Sequence, residues 1–219
     1  MDELTSELRV RDTAEAEPEC REQPDSAGRK MSCGLWKETV ALAEDYLCLC
    51  LCGPQAAAPA PPSGAAAAMR RLGQEMEAQH KARFHSLSQT FLKQCGPDPC
   101  SSLRKVMEEL VGDGHLNWGR VVSLFTFAGV LARHIQEQKS SRPGLDSGQV
   151  PADCRRLAQT IADYLGVEKR TWLMENGGWG GFCEFSCHAR TVDQDSSIKT
   201  ALFAAAGVGL AGLTFLLVR

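Results

Sequence analysis

Cysteine and histidine are the residue types in this chain best suited to chemistry, and their spacing decides what they can do. Cys48, Cys50 and Cys52 stand two residues apart, and Cys183, Cys187 and His188 lie close together. Thiolates and imidazoles hold zinc when four of them converge on one point. On a helix, residues two apart point about 200° away from one another. The three thiols at 48–52 can therefore converge only where a helix has ended. Cys95 and Cys100 bracket a proline-rich turn, and neither that pair nor Cys183 with Cys187 has the partner set of a tetrahedral site. His80, His85, His115, His134 and His188 show no metal spacing and read as surface or groove residues. No metal and no cofactor is expected. The sequence has no glycine-rich phosphate loop, no HExxH pair and no nucleophile elbow, so no catalytic residue is assigned.

The side chain that demands most of its surroundings is Arg120, in the run Asn117-Trp118-Gly119-Arg120. Asn117 is a good helix N-cap, and the stretch after it, Val121 to Leu131, is apolar nearly all the way round. Such a helix belongs inside a protein or a membrane. Arg120 is then a charge in the first turn of a buried helix. Burying an unpaired guanidinium is very costly, so it must reach a rim or find an acid, from this chain or from a partner.

The elements that position this run can be read from periodicity. The 219 residues suffice for one domain with a real core and tails. Residues 1–32 are polar and mostly acidic, with Pro18 and Pro24, and are expected to be disordered. Cys33 to Cys52 carries apolar residues at helical spacing and ends at Gly53-Pro54; an Ala/Pro-rich linker follows over 54–64. Ala65 to Gln94 is one long helical stretch, with Met69, Leu72, Met76, His80, Phe84, Leu87 and Phe91 on one stripe. Leu103, Val106, Met107 and Leu110 mark a short amphipathic helix, and the buried helix after Asn117 runs to about Gln138. Pro151 opens another, with Cys154, Leu157, Ala158, Ile161 and Leu165 inward, and Thr171-Trp172-Leu173 closes that region. Gly177-Gly178-Trp179 begins a last short helix through Phe185. Paired glycines let one helix end and another begin, and Trp179 buries a large ring there; Trp118 and Trp172 are expected to share that corner. No strand pattern appears. The fold expected is an all-α bundle over 33–187, built around one buried central helix.

The C-terminus differs from the rest. Thr200 to Val218 carries no charge, between Lys199 and Arg219. At the helical rise it spans roughly 28 Å, close to a bilayer's hydrocarbon core. Residues 200–218 are therefore expected to be a transmembrane tail anchor contacting lipid, joined to the bundle by a linker over 188–199. The bundle would face the cytosol. No signal-peptide core is visible at the N-terminus, and ten cysteines without one point to a reducing compartment. The net charge of −3 leaves no basic surplus for nucleic acid.

Two stretches carry a family resemblance. Glu109 to Gly114 followed by Asn117-Trp118-Gly119-Arg120-Val121-Val122 resembles the first homology motif of the Bcl-2 apoptosis regulators, and Thr171 to Trp179 resembles their second. The order, the spacing and the tail agree, over residues 33–218, and the Boo/Diva-like branch is the nearest. Glu38 to Leu51 is similar to the N-terminal homology helix, and Met69 to Met76 to the third, death-type motif. Two departures stand out. The His115-Leu116 step is one residue longer than the family pattern. The Asp that follows the motif glycine is Gln74 here, so this chain's own helix should be a poor ligand for another member's groove.

The resemblance implies a Bcl-2-like bundle whose hydrophobic groove binds the death-motif helix of a pro-apoptotic relative. Carried onto this chain, Met76, His80, Phe84 and Leu87 line one side. Val106, Leu110, Val122 and Phe127 form the floor and other wall. Asn117, Gly119 and Arg120 stand at the rim, where Gly119 lets the partner come close and Arg120 pairs with its Asp. His80 stands where the family usually has an aromatic, which implies a pH-dependent ligand preference. The function implied is pro-survival regulation of apoptosis at the mitochondrial outer membrane or the endoplasmic reticulum. The alternatives are a pore-forming, pro-apoptotic member, and a membrane adaptor acting on a calcium channel at the endoplasmic reticulum.

Overall fold

The computed structural model describes residues 26–52, 58–95, 98–111, 115–140 and 152–191, and these are all α-helix, π-helix, turn or loop. In chain order the helices are α1 (Ser26–Leu51), α2 (Gly64–Gln94), α3 (Pro99–Leu110), α4 (Trp118–Ser140), α5 (Ala152–Ala162), α6 (Arg170–Glu175) and α7 (Gly178–Thr191). A π-helical turn, Asp163–Glu168, joins α5 to α6.

The apolar run after Asn117 becomes the central helix. Every residue from Gly119 to Ala132 is buried. Helices α1, α2, α3 and α5 all pack on α4, each through a stripe at helical spacing. For α1 the stripe is Leu35, Leu42, Ala43, Tyr46 and Leu47; for α5 it is Cys154, Leu157, Ala158 and Ile161. Residues three and four apart share a helix face, so each outer helix buries one side and wets the other. Two local signals set the starts of helices. The Ser63 hydroxyl accepts from the Ala66 N–H at α2, and the Asp98 carboxylate accepts from Cys100 and Ser101 N–H at α3.

The first half of α2 is fastened to its neighbours by polar ties. Arg70 donates from Nε and Nη2 to the two carboxylate oxygens of Asp45, at 2.8 and 2.5 Å, and from Nη1 to the Pro59 carbonyl. Arg71 donates to the Ser186 hydroxyl and carbonyl on α7, and Arg133 pairs with Glu77. Gly73 lies so near Tyr46 that a Cβ there would collide with the phenol ring and hydroxyl.

Four boundaries differ from the sequence reading. Helix α1 starts at Ser26, ahead of Cys33 and inside the stretch expected to be disordered. No proline interrupts residues 26–33, so the ladder can extend backward from the half anchored in the core. Helix α2 is not one regular stretch: His80 has non-helical dihedrals (φ −119°, ψ 24°) and bends it. The helix opened after Pro151 passes into a π turn at Asp163, and Thr171-Trp172-Leu173, expected to close the region, lies within α6. Helix α7 runs past Phe185 to Thr191. Among the described residues no helix is long and apolar enough to cross a membrane. Residues 1–25, and the anchor expected at 200–218, lie outside them.

Candidate partner-helix groove

Among the described residues, helices α2 and α3 share α4 as a floor, with little backbone contact between them. This arrangement brings the expected groove residues to one region. Met76, Phe84 and Leu87 come from α2, Val106 and Leu110 from α3, and Val122 and Phe127 from α4. None of these seven is more than 7% exposed. They are buried as core residues are, not displayed as an open surface. The Ser123 hydroxyl meets the Met76 sulfur at 3.2 Å, and Phe91 of α2 sits edge-on to Phe127 of α4 with ring centroids 5.6 Å apart.

At the head of α4 the Asn117 side chain accepts from the Arg120 N–H at 2.9 Å, which is the N-cap bond to the third helical residue. Asn117 is half-buried and Gly119 buried. Arg120 is only 5% exposed, and its Nη1 donates to the His115 carbonyl at 2.5 Å. Arg120 is thus buried at the head of α4, with one of its donors on a carbonyl of the loop before Asn117. His80 is half-buried at the bend in α2, and burial, with the charge of Arg83 added, holds its pKa below the ordinary 6.5. At neutral pH it is an uncharged ring. Gln74 is exposed.

The residues expected to share a packing corner are also brought together. The Trp118 ring centroid lies 4.9 Å from Trp172, 6.0 Å from Trp179 and 5.3 Å from Phe182. Offset and edge-to-face pairs at such distances add to the stabilisation from area alone. Trp179 Nε1 donates to the Thr39 hydroxyl at 3.0 Å, which ties α7 to α1. Gly177 (φ 75°) and Gly178 (φ 58°) turn the chain from α6 into α7 through left-handed conformations that side-chain-bearing residues seldom adopt. The sequence reading did not single out Phe182, although it stands one turn beyond Trp179.

The fold is an all-helical bundle around a buried central helix. Residues 69–179 match the family model described as apoptosis regulator proteins, Bcl-2 family. The chain belongs to the Bcl-2 family. It is 40% identical over 187 residues to anti-apoptotic protein NR13 of Gallus gallus, covering 84% of this chain and 97% of that protein. It is 32% identical over 165 residues to human Bcl-2-like protein 10, covering 69% and 76%. These similarities lie in the Boo/Diva-like branch. Among solved structures, the zebra-fish pro-survival protein NRZ in complex with Bad BH3 matches with a TM-score of 0.63 and 54% identity, covering 72% of this chain and 97% of that one. Its apo form matches with a TM-score of 0.62.

Proposed function

We propose that this chain is a pro-survival regulator of apoptosis that captures the death-motif helix of pro-apoptotic relatives between α2 and α3. The observation that carries this reading is the shared apolar set on α2, α3 and α4, with little backbone contact between α2 and α3, in a chain 54% identical over its matched part to a pro-survival protein solved in complex with Bad BH3. The partner's apolar residues would meet Met76, Phe84, Leu87, Val106, Leu110, Val122 and Phe127. All seven are buried, so binding has to part whatever covers them. Arg120 would meet the partner's Asp. That exchanges or supplements a bond to a backbone carbonyl with an ion pair, in which donor and acceptor are both charged. Gln74 in place of an acid leaves the chain's own helix a poor ligand for its relatives' grooves.

Residues 200–218 serve in this reading as a tail anchor that holds the bundle on the cytosolic face of the mitochondrial outer membrane or the endoplasmic reticulum. The absence of charge and the length of that stretch support it. The test is a titration of the full-length chain in detergent with a death-motif peptide, alongside localisation of the chain with and without 200–218. Saturable binding that a groove-wall variant such as Val106→Glu abolishes is the expected result. Release of vesicle contents by the chain alone, without peptide binding, would favour a pore-forming member instead.

A further inference from the structure

His85 on α2 and His134 on α4 are far apart in sequence and touch in space. His134 Nε2 lies 3.0 Å from His85 Nδ1, and the ring centroids are 4.7 Å apart with planes at 68°. The Ser88 hydroxyl lies 2.7 Å from His134 Nδ1 and also donates to the His85 carbonyl at 2.9 Å. A hydroxyl has one proton. With that proton on the carbonyl, Ser88 must accept at His134. His134 Nδ1 therefore carries the hydrogen, and Nε2 turns a bare lone pair towards His85. On the other side, His85 Nε2 lies 2.9 Å from the Gln89 side-chain amide. That amide donates as drawn, and accepts once turned over, so His85 can hold its proton on Nε2 and present a second bare nitrogen at Nδ1.

We propose that His85 and His134 form a two-imidazole site for a divalent transition-metal ion of square or octahedral preference, the class of Ni2+ and Cu2+, with water completing its shell. Imidazole nitrogens bind such ions at about 2.0–2.1 Å, and two of them 3.0 Å apart then subtend about 95° at the metal. That is the angle between adjacent ligands in square or octahedral geometry, and it falls short of the roughly 109° of a tetrahedral zinc site. Rings laid end to end along a straight hydrogen bond would hold their centroids about 5.3 Å apart. The observed 4.7 Å means that the ring axes are inclined to the line between the nitrogens, as they must be for ligands that share an ion.

Ser88 already accepts from the outer nitrogen of His134, as in sites that orient metal-binding imidazoles; on His85 the Gln89 amide donates to Nε2, so an ion would displace the proton from Nδ1 and the amide would turn over to accept it at Nε2. His85 is exposed and His134 half-buried, so an ion can arrive from solvent. A cavity of about 360 Å³ opens on the His134 side, lined by Gln89, Lys93 and Glu137 among others; His85 does not line it. Burial lowers the His134 pKa, and Glu137, one turn further along α4, works against that as it would favour any cation. Lys93 and Arg133 oppose it, and Arg133 is paired with Glu77. No group of three ligating side chains is assembled among the described residues, so affinity depends on both rings at once. A bound ion would clip the half of α2 beyond the His80 bend onto the end of α4. The site stands independently of the groove reading, since loading it needs no partner helix.

The test is titration of the full-length chain in detergent with Ni2+ alone, read by imidazole resonances and by melting temperature. The His85 and His134 rings should broaden together, ahead of the other three histidines, and the melting temperature should rise. His85→Gln, at an exposed position, should weaken binding more than about tenfold and remove the rise, and Ser88→Ala should weaken it about 10–100-fold. Unchanged affinity in both His85→Gln and His134→Gln would overturn the site, as would Ni2+ effects confined to the cysteines.

Discussion

The run Asn117-Trp118-Gly119-Arg120 faces two regions built on opposite plans. On one side Trp118 enters a corner of four rings drawn from α4, α6 and α7, fixed to α1 by the Trp179–Thr39 bond. On the other side Arg120 meets a loop carbonyl, and α2 and α3 beyond it rest on α4 with little backbone contact between them, among the described residues. The corner is over-determined, and the groove is held mostly by non-directional apolar contact. A receptor for a helix needs both. A fixed corner sets where α4 begins and which way Arg120 points, and walls with little backbone contact between them can part.

The comparison can be broken by substitution, and the largest effect should come from the corner. Trp179→Ala removes a ring that is 6% exposed and its bond to Thr39, and should cost about 3–5 kcal/mol in denaturant unfolding. A loss below about 1 kcal/mol would mean that the corner is no more rigid than the groove. Gly73→Ala comes next. Its methyl must displace the buried Tyr46 ring, for about 1–3 kcal/mol of overpacking, and a neutral result would show that α2 shifts freely on α1. Asn117→Ala removes the cap on the Arg120 N–H and should cost about 1 kcal/mol, largely restored by Asn117→Asp.

The smallest effect is a pH dependence on the groove side. Burial holds the pKa of both His80 and His134 below the ordinary 6.5 in the fold. The unfolded chain then takes up protons first. The stability contributed by these rings is fully present above pH 6.5 and is lost as pH falls below it towards the folded values. Melting temperature should drop between pH 7.5 and 5.5, and less so in His134→Gln. An equal drop in the variant would remove His134 from the account.

What was legible in the sequence was legible for local reasons. The Asn117 cap, the all-round apolar stretch after it and the paired glycines at 177–178 are signals within a few residues of the features they produce. The bend at His80 has no proline or glycine at that position to announce it. The π turn was hidden for another reason. Tyr164, Leu165 and Gly166 are buried in succession, with the Tyr164 hydroxyl on the Met107 carbonyl and Gly166 against the Trp36 backbone, and all of these partners are remote in the chain. The buried Arg120 depended on where a loop carbonyl would fall. His85 and His134 each looked like a lone surface histidine until α2 and α4 were laid side by side.

The central claim is that Arg120 is the fixed charge against which a partner helix is registered. A double-mutant cycle tests it most directly, with Arg120→Ala in the full-length chain and the acid of the death-motif peptide changed to alanine. The account predicts a coupling energy of at least about 1.5 kcal/mol between the two changes, over and above any loss of stability that Arg120→Ala causes in the chain alone. Strictly additive losses would contradict it, and would leave Arg120 with a structural role in the fold.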